Sequence, residues 1–431
     1  MSMKNSPDRK SQPELIEIGA VDIQEAKPYK LDNGVPVYYI NSGFQDLVKV
    51  ELLFLNRTFD PTNGLLHSAT NRMLGEGTSK HNAQQLADGV DYYGAFYETE
   101  ENADYCTVNL YTLNKHLEST LPYLREMITD AVFPESELGV YKQNNKQRLI
   151  VENEKVGSLA RRKFNEILFG NKHPYGFYVE PTDFDKLNRS VLQTYHKQQY
   201  LSNHCVIIVS GMIGEGTLSL LNKFFGDKNW SGAQATPFAV AEMNYTGDKK
   251  QFIAKEGAVQ SAIRIGRRLF NRNHPDYPGM AVLNTVLGGY FGSRLMSNIR
   301  EDKGYTYGIG SALVSMKQEG YFFISTEVGA DVTIPALTEI YKEIDLLKTE
   351  LVDEEELEMV RNYMRGTFIK GIESAFHLAD RFRSLHLHGL GYDYYQKYLE
   401  KVRTIQPEEI KALANKYLDS SMFYELVVGR K

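Results

Sequence analysis

Cysteine and tryptophan are scarce in this chain of 431 residues, which has two of the first and one of the second. Two cysteines, Cys106 and Cys205, are too few for a disulfide framework or a cysteine-rich zinc site. Both sit in strand-like apolar runs and read as buried, reduced thiols. No long hydrophobic run occurs. The stretch around Val206–Val209 is far short of the roughly 20 residues a membrane helix needs. The first ten residues are polar and carry no apolar signal core, which points to a cytoplasmic protein, or a periplasmic one if an export signal has been removed. Positive charge is not in excess: 49 basic residues face 55 acidic ones, so non-specific nucleic-acid binding is not expected. Hydrophobic residues at 42% and charged residues at 24% exclude wholesale disorder.

Tyrosine, by contrast, is abundant, with 28 copies. Its apolar ring and hydrogen-bonding tip suit half-wet surfaces such as clefts and interfaces. The length predicts two to four domains at about 100–200 residues each, and an internal likeness narrows this to two. Ser190–Gly211 and Pro407–Gly429 both read as a helix ending in Tyr-Leu, a polar turn, a strand and a glycine. Tyr200 and Tyr417 are 217 residues apart. The expected organisation is a first domain over 20–226, a linker over 227–246 containing Asn229-Trp230-Ser231-Gly232, and a second domain over 247–431. Both domains mix strands and helices. Asn33-Gly34 predicts a hairpin turn, the spacing of apolar residues predicts a helix over Leu65–Met73, and one long helix is expected over Glu135–Leu168.

The segment Gly64-Leu-Leu-His67-Ser-Ala-Thr70-Asn71-Arg-Met-Leu-Gly-Glu-Gly-Thr78 resembles the H-x-x-E-H motif, followed by Gly-Thr, of the insulinase/pitrilysin zinc peptidases. In that motif two histidines, four apart on one helix face, hold zinc, and the glutamate between them activates water. Here His67 fills the first ligand position, Thr70 replaces the base and Asn71 replaces the second histidine. Threonine is no base near neutral pH, and an amide is a weak zinc ligand beside imidazole. Glu152, in Leu149-Ile-Val-Glu152-Asn-Glu154, stands at the family's third-ligand position, while Asn145 replaces a glutamate common there. A substitute site built from His67, Glu152 and a neighbour such as His81 is one alternative. A hydrogen-bonded core histidine beside ordinary helix glutamates is the other.

The likeness covers nearly the whole chain, including Leu31–Gly34, His173–Gly176 with Pro181–Asp183, and the strand endings at Gly211 and Gly429. It points to the branch of two-domain subunits that includes the mitochondrial processing peptidase. The implied fold is α+β: two homologous domains, each an antiparallel sheet with helices packed on one face. Dimers of such subunits enclose a chamber for an unfolded peptide.

The second half carries Leu287-Gly-Gly-Tyr-Phe-Gly-Ser-Arg294 through Arg300-Glu-Asp-Lys-Gly-Tyr305-Thr-Tyr307. This glycine-rich stretch lacks the Lys-Ser/Thr of a phosphate loop. In the family an arginine and, seven residues on, a tyrosine hold the substrate carbonyl, and Arg300 and Tyr307 keep that spacing. A guanidinium and a phenol can both donate to a carbonyl or its oxyanion; a surface ion pair and an interface ring are the plainer roles. The family's substrate-pairing edge strand resembles Ala95, Phe96, Tyr97 and Glu98. Nearby Glu100, Glu101 and Asp104 could draw basic peptides or simply guard an open edge.

The resemblance therefore implies a subunit with half a site. It would bind no zinc itself and would contribute Arg300 and Tyr307 to a homologous partner that carries the intact motif, or form a self-dimer. A scaffold or peptide-binding protein without catalytic role, and an active peptidase with substitute ligands, are the alternatives.

Overall fold

The computed structural model describes residues 21–230 and 247–430. Most of the linker expected over 227–246 therefore lies outside the described residues, as does the polar stretch over 1–20.

The chain forms two sheets. The first holds β1 (Lys27–Lys30), β2 (Pro36–Asn41), β3 (Leu47–Leu55), β4 (Phe96–Glu101), β5 (Tyr105–Leu113) and β6 (Cys205–Gly211). Its order is β1-β2-β6-β3-β5-β4. The second holds β7 (Lys250–Ala254), β8 (Gln260–Leu269), β9 (Thr306–Ser315), β10 (Gly320–Gly329) and β11 (Tyr424–Gly429), in the order β7-β11-β8-β10-β9. Apart from β1 the two orders are the same, so the internal likeness is a repeat of topology. The sheets are antiparallel but for one parallel pair in each, β2 with β6 and β7 with β11. The hairpin at Asn33-Gly34 forms as expected, with Gly34 at positive φ. Gly211 and Gly429 occupy matching strand ends at positive φ, where a Cβ would strike the Leu47 carbonyl and Ser261 respectively. This is why both halves end their last strand on glycine.

The first half contributes α1 (Leu66–Arg72), α2 (Ala83–Asp91), α3 (Leu117–Thr129), α4 (Glu135–Glu154), α5 (Val156–Phe169), α6 (Arg189–Gln199) and α7 (Thr217–Phe225). The second contributes α8 (Tyr277–Asn284), α9 (Thr333–Thr349), α10 (Glu354–Lys370), α11 (Ala375–His388), α12 (Asp393–Thr404) and α13 (Pro407–Tyr417). The single helix expected over Glu135–Leu168 is two. Lys155 takes an extended backbone and ends α4, so α5 can leave in another direction.

Strand β3 shows how the layers form. Val48, Val50, Leu52 and Phe54 alternate into the core beneath the helices of the first half, with Leu121, Leu192 and Ile207. The opposite face of the first sheet is also covered, by the other half. Leu378, Ala379 and Phe382 of α11 pack on Ile40, Leu53 and Ile208. Reciprocally, Ala160, Phe164 and Ile167 of α5 pack on Ala262, Leu426 and Val428 of the second sheet. Each half thus lends one helix to the other.

The hairpin tips of the two sheets meet as well. The Asp104 carboxylate accepts from the Tyr175 hydroxyl at 2.5 Å and from the Lys317 backbone N–H at 2.9 Å. The Tyr175 oxygen accepts from the Gln318 N–H at 3.2 Å. His173–Gly176, one of the motifs of the first half, therefore helps fasten the two sheets together.

Candidate functional site

The helix expected over Leu65–Met73 is present as α1, followed by a tight 3-10 turn over Met73–Gly75. Its two substituted positions face protein. Thr70 is fully buried and returns its hydroxyl to the Leu66 carbonyl one turn back, at 2.7 Å. Asn71 is also fully buried. Its amide donates to the carbonyls of Glu100 (2.9 Å) and Thr107 (3.2 Å), which are paired across β4 and β5. Its carbonyl accepts from the Tyr200 hydroxyl at 3.0 Å. Where the resembled motif has a metal ligand, this chain has a staple from α1 to the edge hairpin and α6.

The other candidate ligands are dispersed. Glu152 is partly exposed at the end of α4, bonded to Lys155 and Ser158 at 2.6 Å each. Those partners hold its carboxyl below the usual range. Asn145 donates back to the Tyr141 carbonyl. His81 is committed to Glu126 at 2.8 Å, and Glu154 to Lys255 of the second half at 2.6 Å. Among the described residues, no three His, Cys, Asp or Glu side chains converge as a metal would require. The donor set does not fit zinc, with the second imidazole replaced by an amide whose donors and acceptor are already used.

His67 itself is largely enclosed. Burial pushes its imidazole from 6.5 down to about 4, against a backbone hydrogen bond at Gly64 that favours the proton. Between those pH values the unfolded chain binds the proton and the folded chain does not. The contribution is complete above pH 6.5 and is lost as pH falls toward 4, by about 3 kcal/mol. Urea midpoints from pH 7 to 4 should show His67→Gln flattening the acid decline. An unaltered slope would assign the decline to other groups.

The edge strand is present as β4, which among the described residues pairs only with β5 and has no strand on its outer edge. Ala95 is buried just before it. Phe96, half exposed, stacks on Tyr111 with ring centroids 4.5 Å apart. Tyr97 turns inward, where Gly75 makes room for its ring. The acidic cluster is largely partnered. Glu98 accepts from the Tyr111 hydroxyl at 2.7 Å, Glu101 meets Arg72 at 2.7 Å, Glu100 lies 3.7 Å from Arg383, and Asp104 holds the hairpin latch. These carboxylates are therefore a weaker lure for basic peptides than their number suggests.

Arg300 and Tyr307 are brought together. Arg300 lies in a wide, π-helical turn over Met296–Asp302 rather than a regular helix. Its Nε donates to the Tyr307 carbonyl at 3.2 Å, its guanidinium lies 4.6 Å from the centroid of Phe291, and it also makes the plainer surface ion pair, with Glu301 at 3.5 Å. Tyr307 begins a bulge. Ile309 pairs with Thr326 and Thr306 with Val328, so Tyr307 and Gly308 together oppose Glu327. Thr306 fastens the bulge by donating to the Glu327 carbonyl at 2.7 Å. Such a bulge re-aims a side chain, and the Tyr307 ring is 95% exposed. Phe291, which the sequence reading passed over, completes this projecting group. Its signal was its place in the glycine-rich stretch before Arg300.

Fold and site together define a protein of two repeated α+β halves in which the residues at the resembled zinc-motif positions are engaged by protein hydrogen bonds. Residues 186–364 match the family model described as the Peptidase M16 inactive domain. The chain is 25% identical over 353 residues to the uncharacterized zinc protease YmxG of Bacillus subtilis, covering 81% of this chain and 85% of that one. The peptidase M16 inactive domain from Pseudomonas fluorescens superposes with a TM-score of 0.83 at 20% identity, over 94% of this chain and 98% of that one. A protease from Helicobacter pylori does so with a TM-score of 0.85 at 15% identity, over 95% and 100%. These likenesses bear out the resemblance to the insulinase-type zinc metallopeptidases. No helix among the described residues is long and apolar enough to cross a membrane.

Proposed function

We propose that this chain is a non-catalytic subunit of a heterodimeric zinc peptidase, binding peptide and contributing Arg300 and Tyr307 to a site whose zinc is held by a homologous partner. One contrast carries the reading. Asn71 is spent on backbone carbonyls, whereas Arg300 reaches the Tyr307 backbone and the Tyr307 side chain projects outward. A guanidinium and a phenol on neighbouring backbone can donate to a peptide carbonyl and to the oxyanion that follows it. The open edge of β4 supports peptide capture by strand addition.

The test is reconstitution with a chain carrying an intact H-x-x-E-H motif. Alone, this chain should hold no stoichiometric zinc and cleave nothing. In the pair, Arg300→Ala should lower kcat/KM by about a hundredfold, the scale of losing one oxyanion donor. Chelator-sensitive proteolysis by the isolated chain would defeat the reading. Unchanged turnover of the Arg300→Ala pair would leave a scaffold.

A further inference from the structure

A cavity of about 280 Å³ lies among α8, α10, α11 and α12, on the helical side of the second half. It belongs to what the second half adds to the repeat. Between α5 and α6 the first half makes only a 3-10 turn over Pro181–Lys186, whereas the second half inserts α12 between α11 and α13. Tyr394, Tyr395 and Tyr398 of α12 line the cavity.

Its walls combine two guanidiniums with aromatic rings, and among the described residues no aspartate or glutamate lines it. Arg272 is held by neutral partners, donating to the hydroxyls of Ser315 and Ser384. Arg381 donates to the Gly371 carbonyl at 3.3 Å and lies over the rings of Phe368 (4.8 Å) and Tyr395 (5.6 Å). Among the described residues, neither has a carboxylate within ion-pair distance, as Arg294, Arg361 and Arg383 do. Tyr395 donates to the Arg381 carbonyl. Burial pushes the Tyr398 hydroxyl up to about 12 and the Tyr394 hydroxyl up as well, so both stay protonated donors.

Guanidiniums held only by neutral partners can take an anionic head without an ion pair having to break. Guanidinium and phenol groups are donors suited to an anionic head, and tyrosine rings suit a flat apolar body. We propose that this cavity binds a small organic anion, its carboxylate or phosphate head against Arg272 and Arg381 and its aromatic body against the tyrosines of α12. The site is independent of Arg300, Tyr307 and β4.

Titration calorimetry of the full chain with benzoate, phenyl phosphate, benzamide and inorganic phosphate tests this. One aryl anion should bind saturably at one site, at least about tenfold tighter than benzamide, a difference of about 1.4 kcal/mol. A preference for benzoate assigns a carboxylate, and a preference for phenyl phosphate assigns a phosphate ester. Arg272→Gln should lose about tenfold in affinity. Tyr398→Phe, which removes only a hydroxyl and keeps the packing, should weaken binding severalfold even if the arginine variant folds poorly. Lys397→Gln, on the exposed side of α12, should change nothing. The proposal fails if neither aryl anion saturates, if benzamide binds equally well, if inorganic phosphate binds as tightly as phenyl phosphate and benzoate, or if Arg272→Gln and Tyr398→Phe both leave binding intact.

Discussion

Replacing Asn71 by leucine is expected to cost about 4 kcal/mol of stability, through polar groups and not through volume. Leucine has asparagine's branch at Cγ and somewhat more volume, so no cavity opens under α1. What is lost is a bridge between the Glu100 and Thr107 carbonyls and an acceptor for the buried Tyr200 hydroxyl. A buried group left without its partner costs about 1–3 kcal/mol, and two or three such groups are affected. The urea midpoint should fall with an unchanged m-value, and amide exchange should speed up first at β4. A loss below about 1 kcal/mol would show that the staple contributes little. Restoring the family residues with Thr70→Glu and Asn71→His should be worse still. A neutral imidazole cannot donate to two carbonyls, and a carboxylate would enter a position that is now fully buried.

The second large effect lies where α11 of the second half meets the first sheet. Glu51 is fully buried between Lys49 at 2.9 Å and Arg383 at 3.0 Å, with Asp380 on the far side of Arg383 at 3.1 Å. The crowd of acids raises the affinity of Arg383 for its proton despite burial. Arg383→Met keeps the apolar stem and removes the charge. Breaking a buried pair by deleting one partner costs about 3–5 kcal/mol, because the other charge stays behind. Adding Glu51→Gln should recover little, since it strands the buried Lys49, whose remaining carboxylate is Asp380 at 4.0 Å. A double-mutant cycle reads this directly. If Arg383→Met loses less than about 1 kcal/mol, Lys49 alone suffices for Glu51.

Much of this was legible from residue order. The repeat showed itself in Tyr200-Leu and Tyr417-Leu followed by strands ending in glycine, because those glycines answer to a backbone requirement. The loss of the metal motif showed in the residue types at 70 and 71. What Asn71 does instead did not show, since its partners Glu100 and Thr107 are distant in the sequence and are reached through backbone atoms, which carry no residue signature. The spacing of Arg300 and Tyr307 was readable, but the bulge that projects Tyr307 was not, because Thr-Tyr-Gly-Ile fits a regular strand equally well. Nor was the break at Lys155 readable, with neither proline nor glycine beside it. Least legible was the exchange of α5 and α11. An amphipathic helix announces that it covers something, and leaves open which sheet.

That exchange has a consequence for synthesis. When β6 is complete, the first sheet has all its strands, yet Ile40, Leu53, Val206 and Ile208 still lack the helix of the second half that packs on them. Their cover is α11, which the ribosome delivers only after most of the second half. Through that interval the nascent protein carries an apolar sheet face that other chains can reach, and a chaperone that shields such surfaces would have its longest engagement there. The order of translation thus leaves the first sheet bare until α11 arrives, while α5 is ready before the sheet it will cover exists.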